Sequence, residues 1–148
     1  MKTYKELRQE SAKKQPTIIV DFDGTLSLRG ERSPYDWSRV GEDEPHFPVV
    51  FAIRHLALFA TILVVSGRDE SCRWQSEMWL NAHGILYHKL FMRPEKDNRP
   101  DAEIKREIYE QEIKDNFDVL FVLDDRNSVV RLWREMGLTC FQVQEGDF

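Results

Sequence analysis

Five apolar runs alternate along this chain with stretches of helical periodicity. The runs fall within residues 17–23, 61–66, 85–93, 118–125 and 139–144. The first, second and fourth are nearly continuous in Ile, Val, Leu and Phe, the pattern of strands covered on both faces. Between them, residues 49–59, the stretch after Arg68, and residues 101–114 and 127–136 read as helices. Ser66 or Asp69 is a candidate cap for the second helix and Asn127 for the last, and Gly84 and Gly137 lie where the two helices should stop. Strands alternating with helices predict an open α/β sheet, mostly parallel and of about five strands. Right-handed crossovers then place helices on both faces, giving a three-layer, Rossmann-like sandwich. Residues 1–14 read as a charged arm or short helix. Residues 24–48, rich in Gly, Pro and charge, read as a long loop or small cap insertion, a kind of segment that is often functional.

At 148 residues the chain is expected to form a single domain with its own core. Its 41% apolar and 32% charged residues are ordinary for a globular protein. No apolar run is long enough to span a bilayer, and residues 1–14 lack the apolar centre of a signal peptide. The expectation is a cytoplasmic protein with no membrane partner. The two cysteines, Cys72 and Cys140, form no CxxC and read as free thiols. The four histidines lack metal-ligand spacing. A net charge of −5 argues against coating nucleic acid with a broad basic face, but leaves room to grip one phosphorylated end.

The chemistry concentrates at strand ends. The first strand ends in Asp21 and Asp23, the second in Ser66-Gly67-Arg68, the fourth in Asp124-Asp125-Arg126. A turn would explain any one of these clusters, since Asp-Gly is a common turn and Asp-Asp-Arg a common helix start. In a parallel sheet, however, all three ends lie on one edge, where ligands of such folds bind. Two acidic pairs meeting there repel strongly without a cation. An all-oxygen site suits Mg2+, which also takes substrate phosphate. A hydroxyl, an arginine and Lys105 nearby are phosphate-holding groups.

The motifs "DFDGTLS", "VVSGR", a downstream lysine and "LDDR", in this order, resemble the haloacid dehalogenase-like (HAD) superfamily of phosphotransferases. "RSPYD" (residues 32–36), Asp101 with Lys105, "VVRLWREMG" and "GDF" bring the resemblance closer to the 3′-phosphatase domain of bacteriophage polynucleotide kinase-phosphatase. It spans residue 18 to residue 148. DxDGT alone marks only the superfamily, whereas "RSPYD" and "GDF" are much more specific to this branch. No GxxxxGK[ST] is present, so no kinase activity is expected, and the segment between Arg68 and Trp79 is shorter than in that family.

The resemblance implies an HAD-like fold with a minimal cap and a set of roles. Asp21 is the nucleophile and Asp23 the general acid-base. Mg2+ lies on Asp21, Asp23 through its main-chain carbonyl, and one or both of Asp124 and Asp125. Ser66 and Gly67 hold phosphate, and Lys105, positioned by Asp101, neutralises it. Arg32 and Arg68 match positions needed for activity, and Asp43 is a weaker carry-over for which loop solvation or a cap is an equal explanation. The implied substrate is a 3′-phosphorylated DNA or RNA end, with 2′,3′-cyclic phosphate a second candidate. A separate kinase or ligase partner and self-association stay open. Two other readings share these residues: a small-molecule HAD phosphatase for nucleotides or sugar phosphates, and a non-catalytic binding module. Of the tryptophans, Trp79 and Trp133 are expected in the core, and Trp37, beside the site, is the candidate for stacking a base. Arg93, Lys96 and Arg99 are candidates for touching a nucleic-acid backbone, with a solvated charged loop the expected outcome.

Overall fold

The computed structural model describes residues 1–6, 10 and 15–148. In the N-terminal arm, residues 4–6 and 10 are helical, and the rest of the expected arm lies outside the described residues. The strands are β1 (Pro16–Val20), β2 (Ser27–Leu28), β3 (Glu44–Pro45), β4 (Thr61–Asp69), β5 (Lys89–Arg93), β6 (Asp118–Asp124) and β7 (Cys140–Gln142). The helices are α1 (Phe47–Leu56), α2 (Arg73–Ala82), α3 (Asp101–Ile108) and α4 (Asn127–Glu135). Five strands form one sheet in the order β5-β4-β1-β6-β7, and every pairing in it is parallel. Among the described residues no helix is long and apolar enough to cross a membrane.

The three layers follow from the two-residue period of β1. Ile18 and Val20 point to one face, where they meet Ile62 and Val64 of β4, Val49, Val50 and Ile53 of α1, and Trp79 and Leu80 of α2. Ile19 points to the other, with Leu63, Val65, Val122 and the α4 residues Val129, Val130 and Trp133. Each fully buried Ile or Val contributes about 1.5–3 kcal/mol, so β1 is anchored from both sides. Strand order reverses between β1 and β6, and the crevice at their carboxyl ends is where the acidic pairs emerge.

Element boundaries depart from the expected ones for local reasons. Helix α1 starts at Phe47, because Pro48 sits in the first turn, where a missing N–H costs no hydrogen bond. Strand β5 starts at Lys89 rather than at residue 85; Ile85 instead fills the core, and the His88 amide donates to Ile62 O at 2.7 Å. Helix α3 gives way to a π-helical turn, Tyr109–Ile113. Asn127 is the first residue of α4, not its cap: its amide donates to Gly146 O at 2.9 Å, so the C-terminal segment closes that helix end. Segment 24–48 is more built than a loop. It holds the antiparallel β2–β3 pair and a 3-10 turn, Trp37–Glu42, whose Val40 reaches the core.

Candidate active site

Strand β1 delivers Asp21 to the crevice, and β6 delivers Asp124 with Asp125 just after it. All three are buried, and one carboxylate oxygen from each lies within 4.8 Å of the others. Lys105, buried on α3, donates to Asp21 Oδ1 at 2.6 Å and to Asp124 Oδ2 at 2.9 Å. Thr25 donates to the other Asp21 oxygen at 2.9 Å. Asp124 is oriented by the Trp133 indole N–H at 3.1 Å and by the Asp125 amide at 2.9 Å. Gly24, at φ +80°, lets the main chain pass Asp125: a Cβ there would sit 2.1 Å from its Oδ2.

Three carboxylates against one ammonium leave this pocket short of positive charge. Burial holds the Asp21 carboxyl well above the usual carboxylate range, with the Asp124 charge adding to it and Lys105 opposing it. Asp125 is raised for the same first two reasons. Burial works to lower Lys105, but the Asp124 and Asp21 charges outweigh it and hold the ammonium above its ordinary value. Oxygen donors at this spacing, with negative charge uncompensated, fit a hard divalent cation such as Mg2+.

Asp23 belongs to a different cluster. Its carboxylate does not join the other three; it accepts from Arg68 Nε at 3.1 Å and from the Arg68 and Arg32 terminal nitrogens at 2.9 and 3.3 Å. Both arginines are locked from behind by Asp43, which takes a two-pronged contact from Arg32 at 2.7 Å each and one from Arg68 at 2.9 Å. Arg68 is fully buried, lies 3.7 Å over the Phe22 ring, and donates to Ser76 at 3.0 Å. Asp43 therefore does both: its amide caps the 3-10 turn by donating to Val40 O at 3.3 Å, its side chain anchors a buried ion-pair network, and its carbonyl accepts from Trp79 Nε1 at 2.7 Å.

A third cluster joins the Ser66-Gly67-Arg68 turn to α3. Asp101 does not touch Lys105, contrary to expectation. It is held by Arg93 at 2.6 Å and Arg126 at 3.4 Å, and acts on Lys105 only through its charge. Arg93, expected in a solvated loop, also donates to Gly67 O at 2.9 Å and pins that turn. Gly67 has no room for a side chain, since a Cβ would lie 2.1 Å from Asp101 Oδ1. Ser66 is buried and its Oγ accepts from the Arg68 amide at 3.1 Å. The acids, Lys105 and Gly67 line an open cleft of about 980 Å³, walled by segment 28–37 on one side and by residues 97–101 and 144–148 on others. Arg32 lines it too; Ser66, Arg68 and Asp43 do not. A separate groove of about 660 Å³, bounded by Arg73, Tyr87 and Lys89, holds none of this chemistry.

The sheet order, the carboxyl-edge acids and the minimal insertion define the HAD-like class. Residues 15–148 match the family described as the polynucleotide kinase PNKP phosphatase domain, and the chain belongs to that family. A protein of Autographa californica nuclear polyhedrosis virus, assigned as a bifunctional polynucleotide kinase/RNA ligase, is 35% identical over 131 residues, covering 85% of this chain and 19% of that protein. A chain in the structure of the Pnkp1/Rnl/Hen1 RNA repair complex superposes with TM-score 0.87 at 40% identity, covering 90% of this chain and 44% of that one. The HAD domain of effector protein Lem4 from Legionella pneumophila, at 14% identity and TM-score 0.54, shares the fold alone. The chain thus spans about a fifth of the viral relative and under half of the repair-complex chain.

Proposed function

We propose that this chain is a Mg2+-dependent phosphatase that removes the 3′-phosphate from DNA or RNA ends during nucleic-acid repair. The reading extends to 2′,3′-cyclic phosphate ends, to a cytoplasmic site of action, and to a kinase or ligase that works on the same ends. The observation that carries it is the pairing of two differently built acids at one strand end: Asp21 among carboxylates and Lys105, Asp23 between two arginines. Its relatives' names, and the family to which it belongs, support the polynucleotide substrate over a small metabolite.

In this mechanism a free oxygen lone pair of Asp21 attacks phosphorus, forming an acyl phosphate as the bond from phosphorus to O3′ breaks. Asp23, as the acid, delivers its proton to O3′. It then takes a proton from the water that attacks the same phosphorus and frees inorganic phosphate and Asp21. Thr25 and Lys105 hold the Asp21 carboxylate in one orientation through both steps. Arg68 and Arg32 fix Asp23 against the leaving oxygen. Gly67 and Lys105 line the cleft in which the phosphoryl group would lie. Asp21, Asp124 and Asp125, with the Asp23 carbonyl, would hold Mg2+, which supplies charge neutralisation for the transferring group.

Phosphate release from matched 3′-phosphorylated DNA and RNA oligomers, with and without Mg2+, tests the proposal. Magnesium-dependent release, abolished in Asp21→Asn, is expected. No release from either oligomer, or full activity of the variant, would overturn it.

A further inference from the structure

The leaving group fixes the direction in which the substrate strand must run. In a 3′-phosphatase the leaving atom is O3′ of the polynucleotide, and the acid that protonates it faces that strand. Asp23 lines the cleft next to the wall formed by residues 28–37 and is joined to it by Arg32 at 3.3 Å, so that wall is the surface the strand meets as it leaves the acid. On that wall Arg29 is exposed; its one side-chain hydrogen bond among the described residues is to the Arg32 carbonyl, at 3.1 Å, and it has no ion pair among them. The other cleft-lining cations, Arg32, Arg93, Arg99, Lys105 and Arg126, each contact a carboxylate. Arg29 alone among them keeps its charge uncommitted.

Tyr35, on the same wall, is 82% exposed. The other aromatic rings of the cleft are already engaged: Trp37 packs on the core and the Phe148 ring lies against the Arg126 guanidinium at 4.8 Å. We infer that Arg29 and Tyr35 form a platform for single-stranded nucleic acid: Arg29 takes a backbone phosphate upstream of the terminal nucleotide and Tyr35 stacks a base. The platform rests on the function proposed above and makes the enzyme select a strand over a mononucleotide. Stacking and phosphate contact are both tolerant of base identity, so the selection is for polymer rather than sequence.

The test compares kcat/KM on a 3′-phosphorylated oligonucleotide with kcat/KM on p-nitrophenyl phosphate, which has no strand. Tyr35→Leu should lower the ratio of the two about fivefold to a hundredfold, the range of one base stack, and Tyr35→Phe should restore it. Arg29→Ala should lower the ratio and reduce the salt slope of the oligonucleotide reaction by about 0.7, one single-strand phosphate contact. Both side chains are exposed, so thermal melts should match wild type. Ratios and slope equal to wild type in both variants would overturn the platform alone. Wild-type hydrolysis of p-nitrophenyl phosphate with no release from the oligonucleotide would overturn the proposed function, and the platform with it.

Discussion

Replacing Arg68 with methionine keeps much of the side-chain bulk and removes a fully buried charge. The guanidinium donates to Asp23, Asp43, Ser76 and Ser27. Breaking one side of a buried ion pair costs about 3–5 kcal/mol, because the partner is left charged and unpaired. Here Asp43 keeps its two-pronged contact from Arg32, and Asp23 keeps one at 3.3 Å, so neither carboxylate is stranded. The expected cost is therefore at the low end, about 3 kcal/mol. With a urea dependence of about 2 kcal/mol per molar, the unfolding midpoint should fall by about 1.5 M. Activity should fall further than stability accounts for, about a hundredfold in kcat under conditions where the variant is folded, since Asp23 loses its orientation for proton transfer. Arg68→Lys should restore part of the stability but little of kcat, because a lysine cannot span Asp23 and Asp43 with a planar fork. A midpoint within 0.3 M of wild type by this same urea measure, together with an unchanged kcat, would refute the claim that this network holds Asp23.

Other outcomes follow from the same geometry. Gly67→Ala places a Cβ 2.1 Å from Asp101 Oδ1, so the carboxylate must leave Arg93 and Arg126; a thermal melt should show a loss of about 1–3 kcal/mol, with reduced kcat/KM. In the presence of a chelator, Asp21 and Asp125, both raised by burial and then by the Asp124 charge, bind protons more tightly folded than unfolded. Their contribution makes stability fall as pH rises from about 4, the unfolded carboxylate value, through the raised folded values. Lys105, also raised, contributes stability that persists up to about pH 10.4 and does not offset this trend. Melting temperatures should show the trend in wild type, less of it in Asp21→Asn, and a rise on adding Mg2+; identical pH slopes in the two proteins would contradict it. Cys140, pushed up to about 12 by burial and then by the Asp124 charge, should resist thiol reagents in the native protein at about pH 8 and react after denaturation. Rapid labelling of the native thiol would contradict its placement.

Much of the site was legible because it lies where apolar runs stop. Asp21 and Asp23 follow β1, and Asp124 ends β6 with Asp125 just after it, where burial of the strand brings the polar residues to the sheet edge. What the strand pattern does not carry is how the acids divide. Asp23 separates from the others because Arg68 and Arg32 come to it from 45 and 9 positions away, and Asp43 holds both. An "SGR" triplet reads the same whether its arginine meets solvent or lies buried over Phe22. Trp133 was expected in the core and is there, yet its N–H also orients Asp124, a role apolar periodicity cannot register. Thr25 stood inside the quoted motif, and its place four residues after Asp21 was the available signal for its hydrogen bond. Arg93 ends β5 on the same carboxyl edge as the acids, so the rule that drew attention to Arg68 applied to it as well.

The central claim is that Asp21 takes the phosphoryl group from a 3′ end. Rapid acid quench during turnover of a 3′-phosphorylated oligonucleotide, followed by mass spectrometry of the peptide spanning residues 15–29, tests it directly. The account predicts a phosphoryl increment on Asp21 that disappears when substrate is exhausted. Sustained phosphate release with Asp21 unmodified at every quench time, and release retained in Asp21→Asn, would contradict it.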